Sequence, residues 1–396
     1  MAFPGIILWV NISLYFFVGM FLSAKQKYGR FARSFKTDVP LWAILFGIGA
    51  TISVYRIPSG WESDNFNFAL SSLPNYIYWS SVVCFLNKYR AIVDYDQIIK
   101  FVFYGVTFYI PFWFIRENFL SGIALFQKTT ANNLAFLMIS YSPMAISYVR
   151  FKKSQLFAIL YFIGILMLML FLGRRAGFVL VLINGLFTLF VRTVDIKSFF
   201  KYGLMVSVFW LSLNLTVVEQ SVKNASPRIY QMIYESDEMK IEDRSYLTRI
   251  AMIEKGVYLF KEYPLSGVGL TNFHRTEGII SGNFEGSQYV INKNGINELS
   301  AHNSYISALA EGGLVLFVPW LFLMLSIIIR FVINISVIEA KYYPLFWGFF
   351  GMILHYTSVV GYVNVYSWFV IAMCGVVLSR IGEEHVNSMK PIKRVI

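Results

Sequence analysis

The chain is a succession of long apolar runs, each bounded by Lys, Arg, Pro or Asn, and this pattern restricts its possible folds more than any other feature. About 20 apolar residues in helical form cross the ~30 Å hydrocarbon layer of a bilayer. In lipid every backbone polar group must be satisfied internally, which leaves helices or a closed barrel. Barrel strands would show as short alternating segments, and none occur here. The runs predict eleven spans, at 4–24, 39–56, 69–87, 101–115, 131–149, 154–172, 176–191, 198–218, 312–329, 342–360 and 366–380. Composition agrees: 57% of the residues are apolar, 18% aromatic and 14% charged, where a soluble domain carries about 25% charged residues. The first run starts almost at Met1 with no basic segment before it and leads into Lys25, Lys27, Arg30, Arg33 and Lys36. It therefore reads as a retained first span rather than a cleaved signal.

Basic residues orient the spans. With the N-terminus outside, the inward segments hold 20 Lys and Arg, whereas the short outward segments hold 5, namely Arg56, Arg116, Lys128, Arg174 and Arg175. Long loops translocate largely regardless of charge, so 219–301 does not enter the comparison. The asymmetry accounts for most of the net charge of +12, and no basic patch calls for a nucleic-acid partner. Cys84 and Cys374 both fall in predicted spans, so no disulfide framework is suggested. His274, His302, His355 and His385 show no metal-ligand spacing. The organisation expected is therefore eight spans in 1–218, an outward loop in 219–301, and three spans with a cytoplasmic tail in 302–396.

Water-exposed chemistry has room in the loop. Arg244–Tyr263 predicts an amphipathic helix, with Tyr246, Ile250, Ile253, Val257 and Phe260 on one apolar line, Glu254, Lys255, Lys261 and Glu262 off it, and Pro264 as the stop. A Gly-x-Gly turn follows in PLSGVGLTNF (264–273), then a polar stretch. A second helix, predicted to begin near Ser300, runs AHNSYISALAE and meets Gly312 and Gly313 at the ninth span.

The run TRIAMIEKGVYLFKEYPLSGVGLTNF (248–273) followed by AHNSYISALAEGGLVLF (301–317) resembles the O-antigen polymerase and O-antigen ligase family. In that family an Arg opens a loop helix, a Pro closes it, a Gly-x-Gly turn follows, and a His-Asn pair starts the helix leading into the next span. FLGRRAGFVLVL (171–182) resembles the family's Arg-plus-small-residue turn between two spans, and TTANNLAFLMIS (129–140) the Asn-containing start of an earlier one. The resemblance covers 129–330. It implies an all-α polytopic membrane protein of about 11 transmembrane helices with one large, partly helical periplasmic loop. It also implies transfer of a glycan from undecaprenyl diphosphate on the outer face of the bacterial inner membrane. The acceptor is the sugar end of another lipid-linked repeat unit in a polymerase, and lipid A-core in a ligase. Membrane lipids and a chain-length regulator are the further partners, and no cofactor is implied. Ligases often carry Gly, Thr or Tyr three residues after the motif's final Gly; here that position is Leu316, which favours polymerase. A flippase or transporter of the same lipid-linked sugar stays open as an alternative, although ionisable residues cluster at span ends and in the loop rather than deep in spans.

Residue by residue, the resemblance carries the loop arginine to Arg249, the turn arginines to Arg175 and its neighbour Arg174, and the histidine to His302. A lipid pyrophosphate leaving group needs fixed cations, and the planar fork of arginine binds phosphate oxygens bidentately. Arg174, Arg175 and Arg249, with Arg244 as a further candidate, are therefore expected to hold the donor pyrophosphate without a metal. The bland alternative is that Arg174 and Arg175 anchor span ends by snorkelling and that Arg249 lies on a solvated face. His302 is expected in the first turn of its helix, where the positive end of the macrodipole keeps imidazole neutral and able to take a proton from an acceptor hydroxyl. Asp94-Tyr95-Asp96 resembles a metal-binding Asp-x-Asp but sits in a short linker on the inward side, and Glu235–Glu238 matches no calcium loop; both read as solvated acids.

Overall fold

A computed structural model describes residues 39–55, 63–115, 131–172, 174–190, 216–225, 230, 244–276, 301–362 and 364–388. Among these the regular structure is helical: α1 (Val39–Tyr55), α2 (Ser63–Lys88), α3 (Tyr95–Ile115), α4 (Ala131–Lys152), α5 (Gln155–Phe171), α6 (Arg175–Phe190), α7 (Thr216–Ala225), α8 (Arg244–Glu262), α9 (Ser304–Asn334), α10 (Tyr343–His355) and α11 (Val365–Ser388). Helices stand at nine of the eleven predicted spans; 4–24 and most of 198–218 lie outside the described residues. Two helical stretches, Asn133–Lys152 and Ser304–Asn334, are long and apolar enough to cross a bilayer, and Val39–Tyr55, Gln155–Phe171, Ala176–Phe190 and Tyr366–Gly382 are shorter apolar helices.

α4 is the hub. It packs against α3, α5, α6, α10 and α11, while α1 packs between α2 and α9, and α11 joins the two groups through α2, α9 and α10. The outer helices turn apolar side chains away from this core. Leu156, Leu160, Met167 and Phe171 on α5, with Phe101 and Phe108 on α3, form exposed stripes, an arrangement that water penalises and lipid tolerates.

One end of the bundle gathers basic residues, and the carbonyls freed where helices stop explain several of them. Arg380 near the end of α11 donates from Nε to the Arg90 carbonyl at 2.7 Å and from Nη2 to those of Ala91 and Val93 at 3.1 and 2.6 Å. Arg150 at the end of α4 donates to the Thr188 carbonyl at 2.7 Å. Asp94, half of the Asp-x-Asp decoy, caps α3 by accepting from the backbone N–H groups of Asp96 and Gln97 at 2.9 and 3.3 Å. A cavity of about 350 Å³ lined by Arg150, Gln155, Tyr343 and Trp347 also lies at this end.

At the other end α9 is broken. Gly313 has φ 57 and ψ −159 inside the helix, so the backbone ladder is interrupted there. The Gly-x-Gly turn repairs it. Val268 and Gly269 donate to the carbonyls of Ala310 and Glu311, both at 2.9 Å, and Leu314 and Val315 donate back to those of Pro264 and Leu265 at 2.9 and 3.1 Å. Ser53 of α1 completes the junction, its hydroxyl lying 2.9 Å from the Ser266 carbonyl and 2.8 Å from that of Glu311. The two backbones are too close for side chains: a Cβ on Gly267, itself at φ 67, would lie 2.4 Å from the Glu311 carbonyl carbon. The turn therefore serves the fold by completing a broken helix.

The Glu311 side chain closes the same junction from inside. Its buried carboxylate accepts from the backbone N–H groups of Thr271 and Phe273 and from the Ser307 hydroxyl. The Tyr362 hydroxyl donates to it at 2.5 Å and lies 3.1 Å from the Tyr76 hydroxyl. Thr271 is held at φ 59, a conformation that β-branched residues rarely adopt.

Two expectations about the loop are corrected. The apolar line of α8 does not face the core, since Ile250 is 37% and Val257 39% exposed. The buried face is Thr248, Ala251, Met252, Lys255 and Leu259. The reason is tertiary: Gly256 lets α8 press on Ile306 and Phe273, and the Lys255 ammonium lies 5.0 Å from the centroid of the Phe273 ring, a favourable placement for a buried cation. The second helix begins at Ser304, so His302 lies outside its first turn. Asn303 takes the cap, its side-chain oxygen accepting from the N–H groups of Tyr305 and Ile306 at 3.0 and 3.1 Å.

Candidate functional site

His302 occupies the residue before this cap with φ 48. For a non-glycine residue that conformation is costly and must be imposed by its surroundings. The residues that follow supply the constraint. Ser304 donates from its backbone to the Tyr356 carbonyl at 2.8 Å and from its hydroxyl to the Val359 carbonyl at 2.7 Å, and the same hydroxyl accepts from the Gly361 N–H at 2.8 Å. Asn303 reaches the Thr357 carbonyl at 3.4 Å. His302 is thus pinned to the corner that follows α10, whose last residue is His355.

Arg249 lies in the second turn of α8, which packs on α9, and its charge acts on both His302 and His355. The His302 imidazole is held below the usual histidine range, first by burial and then by the Arg249 guanidinium. The downward shift thus has a different cause from the one expected from the sequence, because the helix dipole assumed there would act on a residue inside the first turn.

Arg174 precedes α6 and its carbonyl accepts from the Phe178 N–H at 2.8 Å, which places it at the N-terminal mouth of that helix. Gly177 packs on Ala135 of α4. The next residue, Phe136, lies with its ring centroid 5.6 Å from that of His355 and 6.1 Å from that of Tyr356. The α6 N-terminus and the histidine corner therefore share one end of the bundle, opposite the basic end. Arg175 and Arg244 are the first residues of α6 and α8, and their side chains lie outside the described residues. Of the residues singled out from sequence, the structure brings Arg249 and His302 together and puts Arg174 at the same end. Sequence reasoning passed over His355 and Glu311. An ionisable residue inside a predicted span is itself a functional signal, and His355 carried it.

The profile of one protein family, described as O-antigen ligase, matches residues 118–321, more than half of the chain. The chain belongs to the O-antigen ligase family. Membership makes it a membrane enzyme of O-antigen assembly, a glycan transferase of the polymerase or ligase type with lipid-linked glycan substrates. The matched region includes Arg174, Arg249, His302 and Glu311 and stops short of His355. No curated protein matches the chain.

The electrostatics of this family member predict its pH dependence. A base must be neutral to accept a proton, and in the general-base role expected from the sequence a lowered pKa would keep His302 neutral further into acid. The acid limb of kcat/KM should therefore inflect below the ordinary histidine value of about 6.5. Arg249→Gln removes one of the two causes and should move the inflection upward, with the shift due to burial remaining. A profile whose acid limb lies above pH 6.5, or that Arg249→Gln moves downward, would contradict the assignment.

Proposed function

We propose that the chain is a multi-pass inner-membrane polymerase that transfers a glycan from undecaprenyl diphosphate to a sugar hydroxyl of another lipid-linked repeat unit. The observation that carries this reading is a half-buried His302, pinned at φ 48 to the corner after α10 and within reach of the Arg249 charge. On this reading the bundle crosses the membrane eleven times, with 219–301 on the periplasmic side and the end bearing Arg90, Arg150 and Arg380 in the cytoplasm. The gathering of basic residues at that end supports the orientation.

In the reaction the acceptor hydroxyl oxygen attacks the anomeric carbon of the donor glycan. The bond from that carbon to the pyrophosphate oxygen breaks, and its electron pair leaves with undecaprenyl diphosphate. His302 takes the hydroxyl proton. Arg249 and Arg174, with Arg175 and Arg244, hold the pyrophosphate as its charge develops. Leu316 is fully buried against the helix break, where ligases often carry Gly, Thr or Tyr, and this favours polymerase over ligase. A chain-length regulator would act on the product.

The test is transfer by the purified chain in lipid nanodiscs, supplied with an undecaprenyl-diphosphate-linked repeat unit alone or with lipid A-core. A ladder of lipid-linked oligomers is the expected product. A single adduct on lipid A-core would identify a ligase, and no product with either acceptor would leave a flippase. Because arginines supply the cations, activity should survive EDTA. Arg249→Lys keeps the charge and loses the bidentate fork, so donor binding should weaken about tenfold to a hundredfold, the equivalent of ~1.5–3 kcal/mol for a hydrogen bond to a charged group.

A further inference from the structure

His355 closes α10 beside the corner that fixes His302, and the residue is 6% exposed. Its Nδ1 lies 3.0 Å from the Ser358 hydroxyl oxygen, and that hydroxyl also donates to the His355 carbonyl at 3.0 Å. A hydroxyl carries one proton. When the hydroxyl gives this proton to the carbonyl, the hydrogen in the Nδ1···Oγ contact comes from the ring, and the neutral imidazole then carries its proton on Nδ1. The Arg249 charge acts on the same ring. Nε2 is buried and has no hydrogen-bond partner among the described residues.

A buried acceptor of this kind calls for a donor. Pyrophosphate oxygens cannot serve, because they bring lone pairs and no hydrogen. A sugar hydroxyl can, and it can also accept from a guanidinium on its other side. We propose that His355 is a specificity-determining residue whose Nε2 accepts a hydrogen bond from one hydroxyl of a glycan held between Arg249 and His302. The inference rests on the transferase reading above and adds the substrate group that the corner selects. Both the donor and the acceptor glycan carry hydroxyls, and the experiment separates them.

Steady-state transfer is measured with each substrate varied in turn, for the parent chain, His355→Asn and His355→Gln. Asn reproduces the Nδ1 contact with Ser358 and has nothing at the Nε2 position, whereas Gln places an amide there that can accept. His355→Asn should raise KM about tenfold to a hundredfold for one of the two glycans, the donor or the acceptor, with kcat changed less than threefold. His355→Gln should recover most of the loss. A series of monodeoxy glycans tested on the parent chain reads the same contact without mutation. One deoxy position on the affected glycan should raise KM by the same factor, and His355→Asn should then cost nothing further on that analogue. Equal KM values for parent and His355→Asn, or no deoxy position that raises KM on the parent chain, would mean that Nε2 meets water and would overturn the proposal. A fall in kcat with both KM values unchanged would also overturn it, by making His355 a support for His302. A parent chain that transfers no glycan refutes the functional reading and this inference together, whereas active transfer with an indifferent His355→Asn refutes the inference alone.

Discussion

His302→Ala should slow glycan transfer by about 10²–10⁴ while leaving binding of the lipid-diphosphate donor nearly unchanged, because general base catalysis acts in the transition state and contributes on that scale. The geometry makes the separation from the arginines sharp. His302 stands outside the helix that follows it, and its backbone is held by Asn303 and Ser304 rather than by its own side chain. Removing the imidazole therefore leaves the corner intact. An alanine at φ 48 meets the same backbone cost as the histidine, and His302→Gly controls for it by relieving the strain without restoring the base. Arg249→Lys should show the reverse pattern, weak donor binding with a smaller effect on single-turnover transfer of bound donor. The decisive measurement pairs equilibrium binding of an undecaprenyl-diphosphate-linked glycan with single-turnover transfer for each variant. If His302→Ala loses donor binding as badly as Arg249→Lys, the histidine is a phosphate or sugar ligand and another group activates the acceptor.

Gly313→Ala should undo the junction between loop and bundle. At φ 57 and ψ −159 the backbone occupies a region open essentially to glycine alone, a cost of about 1–3 kcal/mol for any other residue. The added methyl would lie 2.4 Å from the Leu265 carbonyl oxygen and 2.7 Å from the Gly267 nitrogen, and neither is the flexible end of a side chain. To relieve the clash the turn must move away, which breaks the bonds from Leu314 and Val315 to Pro264 and Leu265 and draws Thr271 and Phe273 off the Glu311 carboxylate. Each buried polar group left without a partner costs about 1–3 kcal/mol more, so the total is a large share of the ~5–15 kcal/mol that stabilises a domain. The expected result is a lower unfolding temperature, protease cleavage within 264–273, and loss of transfer. Gly164→Ala is the control. Its Cβ would meet nothing within 4 Å in the middle of α5, and replacing a helical glycine by alanine there should be neutral or stabilise by about 0.5–1 kcal/mol. A Gly313→Ala protein that unfolds at the parental temperature would show that the turn is not held as described.

What could be read from the residues, and what could not, follows the range of the forces involved. Hydrophobic runs are local, and they located α9 and α10 as well as the end of α8 at Pro264. The face of α8 was misread because its orientation depends on contacts with distant segments: Gly256 against Ile306, and Lys255 over Phe273. A lysine off the apolar line looks solvated until an aromatic ring from a turn further along covers it. The start of α9 was placed early because Ser300, His302 and Asn303 all lie where a helix can begin, and only the contact of Asn303 with the corner after α10 selects one. Arg249 and His302 were found through the order of motifs. His355 lay hidden in an apolar run. Glu311, directly before two glycines in α9, gave no sign that four separate groups would donate to its carboxylate.

The broken helix also bears on how the chain is made. Ser53 emerges from the ribosome 213 residues before Ser266 and 258 before Glu311, the two residues whose carbonyls its hydroxyl meets. α1 is therefore synthesised and inserted long before its partners exist. The turn at 264–273 in turn cannot satisfy its own backbone until α9 has been translated behind it. Biogenesis thus imposes a sequence in which the first helices accumulate early and the junction of turn and broken helix is completed last, when the C-terminal third of the chain arrives.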